Sequence, residues 1–341
     1  MRIGIVNDTS IAVEALRRTL LHTRGHEVAW VARDGVEAVN HCAQDRPDLV
    51  LMDLIMPKMD GVEATRQIMA RSPCAIVVAT ANVNGNSSKV FAALGAGALD
   101  AVNIPPLQPP GATELTEFLG KIQNINRLIW RDDCKHSRPT RLRPAKLRAS
   151  ATNRLVAIGA SAGGPAALAV VLSRLPEAFP AAIVVVQHVD ARFSESLTAS
   201  LARQIKLPIR LARESDAPIA GTVLMADSHN HLVLGGQNQL TYAAMPQDTA
   251  YRPAIDVFFQ SISRRWRGEI VGVLLTGMGR DGASGLKTLH EAGRHTIVQD
   301  QATSAVYGMP KAALELAAAS EVLALEAIGP RLAELFDCKT Q

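Results

Sequence analysis

The chain has 341 residues, 48% of them hydrophobic, 20% charged and 4% aromatic, with a formal net charge of +4. That length suits two domains with cores of their own, and the composition excludes an intrinsically disordered chain. No uninterrupted apolar run reaches membrane-spanning length, and the acid at Asp8 comes too early for a signal peptide, so no membrane insertion and a cytoplasmic address are expected. Cys42, Cys74, Cys134 and Cys338 are scattered without a C-x-x-C pair, which reads as reduced thiols.

Short apolar runs alternate with helical patterns from the N-terminus onward. The runs are Arg2–Val6, His26–Val31, Leu49–Asp53, Ala75–Thr80 and Leu99–Val102, with helices starting near Ser10, Gly35, Gly61, Asn86 and Thr113. Five such units predict a parallel sheet covered by helices on both faces. Ligands of open parallel sheets sit beyond the carboxyl ends of the strands. Asp8 and Asp53 follow strands one and three and should converge there, with Thr80 closing strand four at the same rim. Two close carboxylates repel unless a cation neutralises them, and hard oxygen ligands suit Mg²⁺. A carboxylate beside that ion can attack a phosphoryl donor, and a threonine hydroxyl can meet a phosphoryl oxygen.

Residues 131–154 carry eight basic side chains against Asp132 and Asp133, a local net charge of +6 that leaves −2 for the rest of the chain. Prolines and the lack of apolar periodicity make this a solvated linker. No aromatic residue interleaves the basic ones and no recognition motif appears, so nucleic acid is not an expected partner.

The βα alternation resumes with Arg154–Ile158, Ala182–Gln187, Ile209–Leu211, Thr222–Met225, Ile270–Thr276 and His295–Gln299, and Asn230–Tyr242, with Gly235 and Gly236 inside it, reads as an inserted hairpin. The first of these strands runs into Gly159-Ala160-Ser161-Ala162-Gly163, a G-x-S-x-G turn between strand and helix. Such a turn presents a nucleophile. It also partly fits a phosphate loop, although Ser161 stands where G-x-G-x-x-G needs its second glycine. His188 ends the run Ile183-Val-Val-Val-Gln-His, and Asp281 lies in Leu274-Leu-Thr-Gly-Met-Gly-Arg-Asp-Gly282. Three strands thereby deliver Ser161, His188 and Asp281 to one rim, as a nucleophile, a base and the group that orients the base. These residues are expected on exposed loops. His229 and His231 would share a strand face but lack a third ligand. Arg252 could bind a carboxylate or pair with Asp256.

Residues 1–130 resemble a response-regulator receiver domain. The likeness puts Asp53 at the phospho-acceptor, Asp8 and the main chain of Ile55 at further Mg²⁺ contacts, and Thr80 at the switch hydroxyl. A histidine kinase is the phosphodonor it implies. Two positions depart from that pattern: Asn7 replaces an acid, and Ile104, in Asn-Ile-Pro, replaces a lysine. The motifs Gly-Ala-Ser-Ala-Gly-Gly, Gln-His, Tyr-Arg-Pro-Ala-Ile-Asp, Leu-Thr-Gly-Met-Gly-Arg-Asp-Gly and Tyr-Gly-Met-Pro occur in order. Together they resemble the CheB family of protein-glutamate methylesterases, with the nearest likeness to its WspF branch, which serves a surface-sensing Wsp pathway.

That resemblance implies an α/β fold of two doubly wound parallel-sheet domains, a flavodoxin-like receiver and a Rossmann-like methylesterase domain. Their expected bounds are 1–130 and 154–341, joined by a basic linker over 131–153. It implies a Ser161–His188–Asp281 triad with no cofactor for the esterase, acting on glutamate γ-methyl esters of a methyl-accepting chemoreceptor-like protein and releasing methanol. Deamidation of receptor glutamines and a role in sensory adaptation come with it. The oxyanion would be met by main-chain amides of Ala162 and Met278. Two other readings remain open on the residues alone. One is a phosphate-loop binding module that hydrolyses nothing, and the other is a receiver-controlled transcription factor whose linker lies on DNA.

Overall fold

The structure is a computed structural model that describes residues 1–21, 25–83, 85–106, 118–123, 125, 154–189, 191–227, 230–246, 249 and 251–336. The chain divides into two compact units, Met1–Asp133 and Cys134–Gln341. The expected helix start at Thr113, the linker over 131–153 and His229 lie outside the described residues.

The first unit holds β1 (Arg2–Val6), α1 (Ser10–Leu21), β2 (Glu27–Ala32), α2 (Gly35–Gln44), β3 (Leu49–Met52), α3 (Gly61–Arg71), β4 (Ala75–Thr80), α4 (Ser87–Gly95) and β5 (Asp100–Asn103). Its five strands are parallel in the order β2-β1-β3-β4-β5. Strands β3 and β4 are buried at every position, as a sheet covered on both faces requires. Two helices start on aspartate caps: Asp34 accepts from the Glu37 amide at 2.9 Å, and Asp60 from the Glu63 amide at 3.0 Å. The strand order reverses between β1 and β3. A crevice therefore opens beyond their carboxyl ends, where Asp8 and Asp53 stand.

The second unit begins with β6 (Arg154–Ala160), α5 (Gly164–Ser173), β7 (Ala182–Gln187), α6 (Ala191–Ala202), β8 (Ile209–Leu211) and β9 (Val223–Met225). The hairpin β10 (His231–Leu234) and β11 (Leu240–Ala243) follows, antiparallel as expected. The chain then forms α7 (Ile255–Arg265), β12 (Glu269–Leu274), α8 (Ala283–Glu291), β13 (His295–Gln299), α9 (Met309–Glu315), β14 (Glu321–Leu323) and α10 (Leu325–Leu335). Seven parallel strands lie in the order β14-β13-β12-β6-β7-β9-β8. The three-residue edge strand β14 is an addition to the sequence reading. Arg154 belongs to the sheet and not to a solvated linker, because its guanidinium pairs with Glu269 at 3.0 Å and lies over the Phe336 ring.

The chain enters this sheet at the central β6, builds outward through β7, and returns to build the other half from β12. Its switch point is therefore between β6 and β12. Beneath that rim lies a core that includes Leu155, Val184, Ile255, Phe258, Phe259, Leu274 and Leu286. Among the described residues, no helix is long and apolar enough to cross a membrane.

Candidate active site and receiver pocket

Ser161 is the first residue after β6, and its conformation is fixed by the segment that follows β12. Its amide donates to the Thr276 carbonyl at 3.0 Å, while the Thr276 hydroxyl donates to the Ala162 carbonyl at 2.9 Å. Gln299 holds Thr276 in turn, accepting from its amide at 2.8 Å. Gly163 follows with a φ of 77°, a left-handed conformation that turns the chain into α5. Gly277 approaches so closely that a Cβ there would lie 2.7 Å from the Ser161 Cβ.

Strands β6 and β7 pair with Ala160 opposite Gln187, so the register sets Ser161 level with His188. The His188 amide donates to the Ala160 carbonyl at 3.0 Å. The His188 ring meets Asp281 through Nε2, 2.8 Å from Oδ2, and its Nδ1 is buried with no hydrogen-bond partner among the described residues. That pairing selects the tautomer: Nε2 donates to the carboxylate, and Nδ1 keeps its lone pair. The Tyr251 ring stacks on the imidazole, with centroids 3.8 Å apart and planes 16° apart.

Asp281 is a rigid acceptor. Besides His188 it receives the amides of Ile255 at 2.7 Å, Asp256 at 2.9 Å and Gly282 at 3.0 Å, two of them at the start of α7. Burial works against its charge, but these donors and His188 outweigh it and hold the carboxyl below the usual range. The neighbouring Asp256 goes the other way, pushed up to about 7 by burial and by the Asp281 charge. Its Oδ1 accepts from the Gly285 amide at 2.6 Å.

The three residues reach one rim on the adjacent strands β12, β6 and β7. They are not on exposed loops, however. Ser161 is 3% exposed and His188 6%, because the turns that carry them fold down against the Thr276 segment and beneath Tyr251. The amides of Ala162 and Met278 donate to no partner among the described residues. His231 is fully buried and structural, with Nδ1 accepting from the Ala254 amide at 3.0 Å and Nε2 2.8 Å from the Pro246 carbonyl. Arg252 is exposed.

In the first unit, Asn7 donates to Asp53 Oδ2 at 3.0 Å and the Leu54 amide donates to Oδ1 at 2.7 Å. Burial, then the nearby charge of Asp8, pushes the Asp53 carboxyl up, against the amides of Leu54 and Ile55 and the Thr80 hydroxyl. A carboxylate whose ionisation is opposed by burial and by a neighbouring carboxylate suits a divalent cation, which would favour its charged form. Asn7 contributes no charge to this pair. Thr80 is buried, and its hydroxyl accepts from Asn86 at 3.1 Å. Ile104, whose amide donates to the Thr80 carbonyl at 3.0 Å, brings no cation to this rim. Lys58 and Lys121 are engaged by Asp34 at 2.6 Å and Asp100 at 3.0 Å.

Sequence reasoning missed Gln187, Tyr251, Thr276 and Gln299. A glutamine closing an otherwise apolar strand was the available signal for Gln187.

Residues 156–332 match the CheB methylesterase family, and residues 3–106 match the response regulator receiver domain. The chain belongs to the CheB methylesterase family. It is 56% identical over 99% of its length to all of a Pseudomonas aeruginosa protein named protein-glutamate methylesterase/protein-glutamine glutaminase 3. A Burkholderia thailandensis protein, protein-glutamate methylesterase/protein-glutamine glutaminase 4, is 54% identical over 98% of this chain and 97% of its own. The crystal structure of the Thermotoga maritima CheB methylesterase catalytic domain superposes with a TM-score of 0.52 at 34% identity, covering 54% of this chain and 99% of that one. The chain is thus a carboxylic ester hydrolase that carries a response-regulator receiver domain.

Proposed function

We propose that this enzyme removes the methyl group from glutamate γ-methyl esters on a cytoplasmic helix of a methyl-accepting chemoreceptor-like protein, and deamidates receptor glutamines at the same site. The observation that carries the reading is the His188 ring, tied to Asp281 through Nε2 with Nδ1 left as a buried lone pair level with Ser161.

Ser161 Oγ attacks the ester carbonyl as His188 Nδ1 takes its proton. Asp281 holds the tautomer and stabilises the imidazolium. The carbonyl oxygen gains negative charge and meets the amides of Ala162 and Met278, each such donor being worth about 2.7–4 kcal/mol. The tetrahedral intermediate collapses when Nδ1 returns the proton to the departing methanol. Water, deprotonated by the same nitrogen, then frees the glutamate carboxylate and regenerates Ser161. With a glutamine the sequence is the same and ammonia leaves. Each turnover adds a negative charge to the receptor helix, which alters repulsion between helices and serves sensory adaptation.

The receiver, residues 1–130, would govern the esterase, residues 154–341, through the basic linker 131–153. Asp8, Asp53 and the Ile55 carbonyl would hold Mg²⁺, which neutralises the anionic charge gathered there when a histidine kinase donates a phosphoryl group. Asp53 is the acceptor and Thr80 the switch hydroxyl. The reaction belongs in the cytoplasm, without nucleic acid, and the resemblance to the WspF branch supports a role in a Wsp-like pathway. Incubating the enzyme with a chemoreceptor bearing isotopically labelled methyl esters tests this reading. Labelled methanol is expected, and its absence at every receptor methylation site would refute it.

A further inference from the structure

Tyr251 covers one face of the His188 ring. It stands four residues before Ile255 and five before Asp256, whose amides hold Asp281 at 2.7 Å and 2.9 Å. One short segment therefore touches the base from its face and braces the base's partner from behind. The rings are almost parallel, at 16°, with centroids only 3.8 Å apart.

We propose that Tyr251 is a positioning residue for this reaction, fixing the plane of the His188 imidazole and stabilising the imidazolium through its π face. The proposal rests on the reading of His188 as the base. A ring with one edge hydrogen-bonded still has freedom to rock about that bond. The Asp281 contact anchors Nε2, and a stacked partner at this spacing stops the rocking, so the direction of Nδ1 stays fixed. The charge state of the histidine adds a second effect. Neutral imidazole gains only ordinary stacking from a phenol ring. Once Nδ1 has taken the serine proton, the ring is a cation lying on the electron-rich face of an aromatic. That interaction exists in the transition state and intermediate but not in the resting enzyme, so it acts on kcat and not on substrate binding. The low exposure of His188, 6%, keeps water from screening it.

The agent is the ring face and not the hydroxyl, so Tyr251→Phe should keep kcat within about twofold of wild type. Tyr251→Leu should lose about tenfold in kcat with KM unchanged, the size expected for a cation over a desolvated aromatic face. Since leucine could disturb folding, the decisive series replaces Tyr251 with phenylalanine carrying increasing numbers of ring fluorines. Fluorine drains the ring face with little change of shape. The expected result is a stepwise fall of log kcat with fluorine number, at constant KM and melting temperature. A flat series, or Tyr251→Phe as slow as Tyr251→Leu, would overturn the proposal. His188→Ala assayed in parallel separates the two readings. If that variant is inactive and the fluorine series is flat, only the role of Tyr251 fails. If it turns over normally, the base itself is wrongly assigned.

Discussion

The side-chain amide of Gln187 donates to the Ser161 carbonyl at 2.9 Å and to the His188 carbonyl at 2.9 Å, so one buried group ties the nucleophile's turn to the base's turn. Among the described residues its Oε1 has no partner, and the two carbonyls fix the amide's orientation, since the flipped amide would set oxygen against both. A Cβ on Gly164 would collide with that oxygen, so the start of α5 is shaped around it. Gln187→Leu leaves the His188 carbonyl without its donor, at about 1–3 kcal/mol for a buried group, while the Ser161 carbonyl keeps the Gly164 amide at 2.8 Å. The expected outcome is a lower melting temperature and, at temperatures where the variant is folded, a kcat reduced at least about tenfold with KM unchanged. Parallel melting curves and methanol-release kinetics check both.

Asp256 should make stability depend on pH. Its carboxyl is raised from the ordinary 3.8 to about 7 by burial and by Asp281. The folded state therefore holds this proton more firmly than the unfolded chain, so wild type loses stability as pH rises through that window. Asp256→Asn cannot titrate and keeps an acceptor for the Gly285 amide. Its stability relative to wild type should improve between pH 4 and pH 8, measured as the difference in denaturant midpoint. A difference that does not move with pH would contradict the assignment.

Phosphorylation of Asp53 should activate only partly. With Ile104 at the rim, the phosphoryl group lacks one charge-assisted contact, typically worth about 1.5–3 kcal/mol. A switch moves only by the differential affinity of its ligand for the two states. Demethylation rates with a small phosphodonor and Mg²⁺ should rise modestly in wild type, more in Ile104→Lys, and not at all in Asp53→Ala. Full activation of wild type with no gain from Ile104→Lys would refute the lysine argument.

The receiver is expected to restrain the esterase. A chain beginning at Ala151 should then demethylate receptor faster than the full-length enzyme, and equal rates would contradict restraint. The matching Thermotoga maritima structure is of a catalytic domain by itself, a part equivalent to this shortened chain.

Strand-end chemistry was the readable part of this sequence. Alternating βα units dictate parallel sheets, parallel sheets put their sites at carboxyl ends, and Asp53, Ser161, His188 and Asp281 stand at those ends. What sequence could not show was which imidazole nitrogen faces Asp281, because ring orientation depends on amides of Ile255 and Asp256 far along the chain. Burial of Ser161 and His188 was read the wrong way for a related reason: a loop is exposed by default, and only tertiary contacts with Thr276 and Tyr251 cover these two. The edge strand Glu321–Leu323 is too short to carry a periodicity and is defined only by pairing with β13.

The central claim is that Ser161 is the nucleophile and His188 its base. Methanol release from methylated receptor by folded Ser161→Ala, measured beside wild type and the Ser161→Ala/His188→Ala double variant, tests it most directly. A loss on the order of a millionfold has been the cost of removing such a nucleophile in a hydrolase triad. A drop approaching that size is expected for Ser161→Ala, with the double variant no worse, because the residues act as a unit. Turnover by folded Ser161→Ala at a rate near wild type would contradict it.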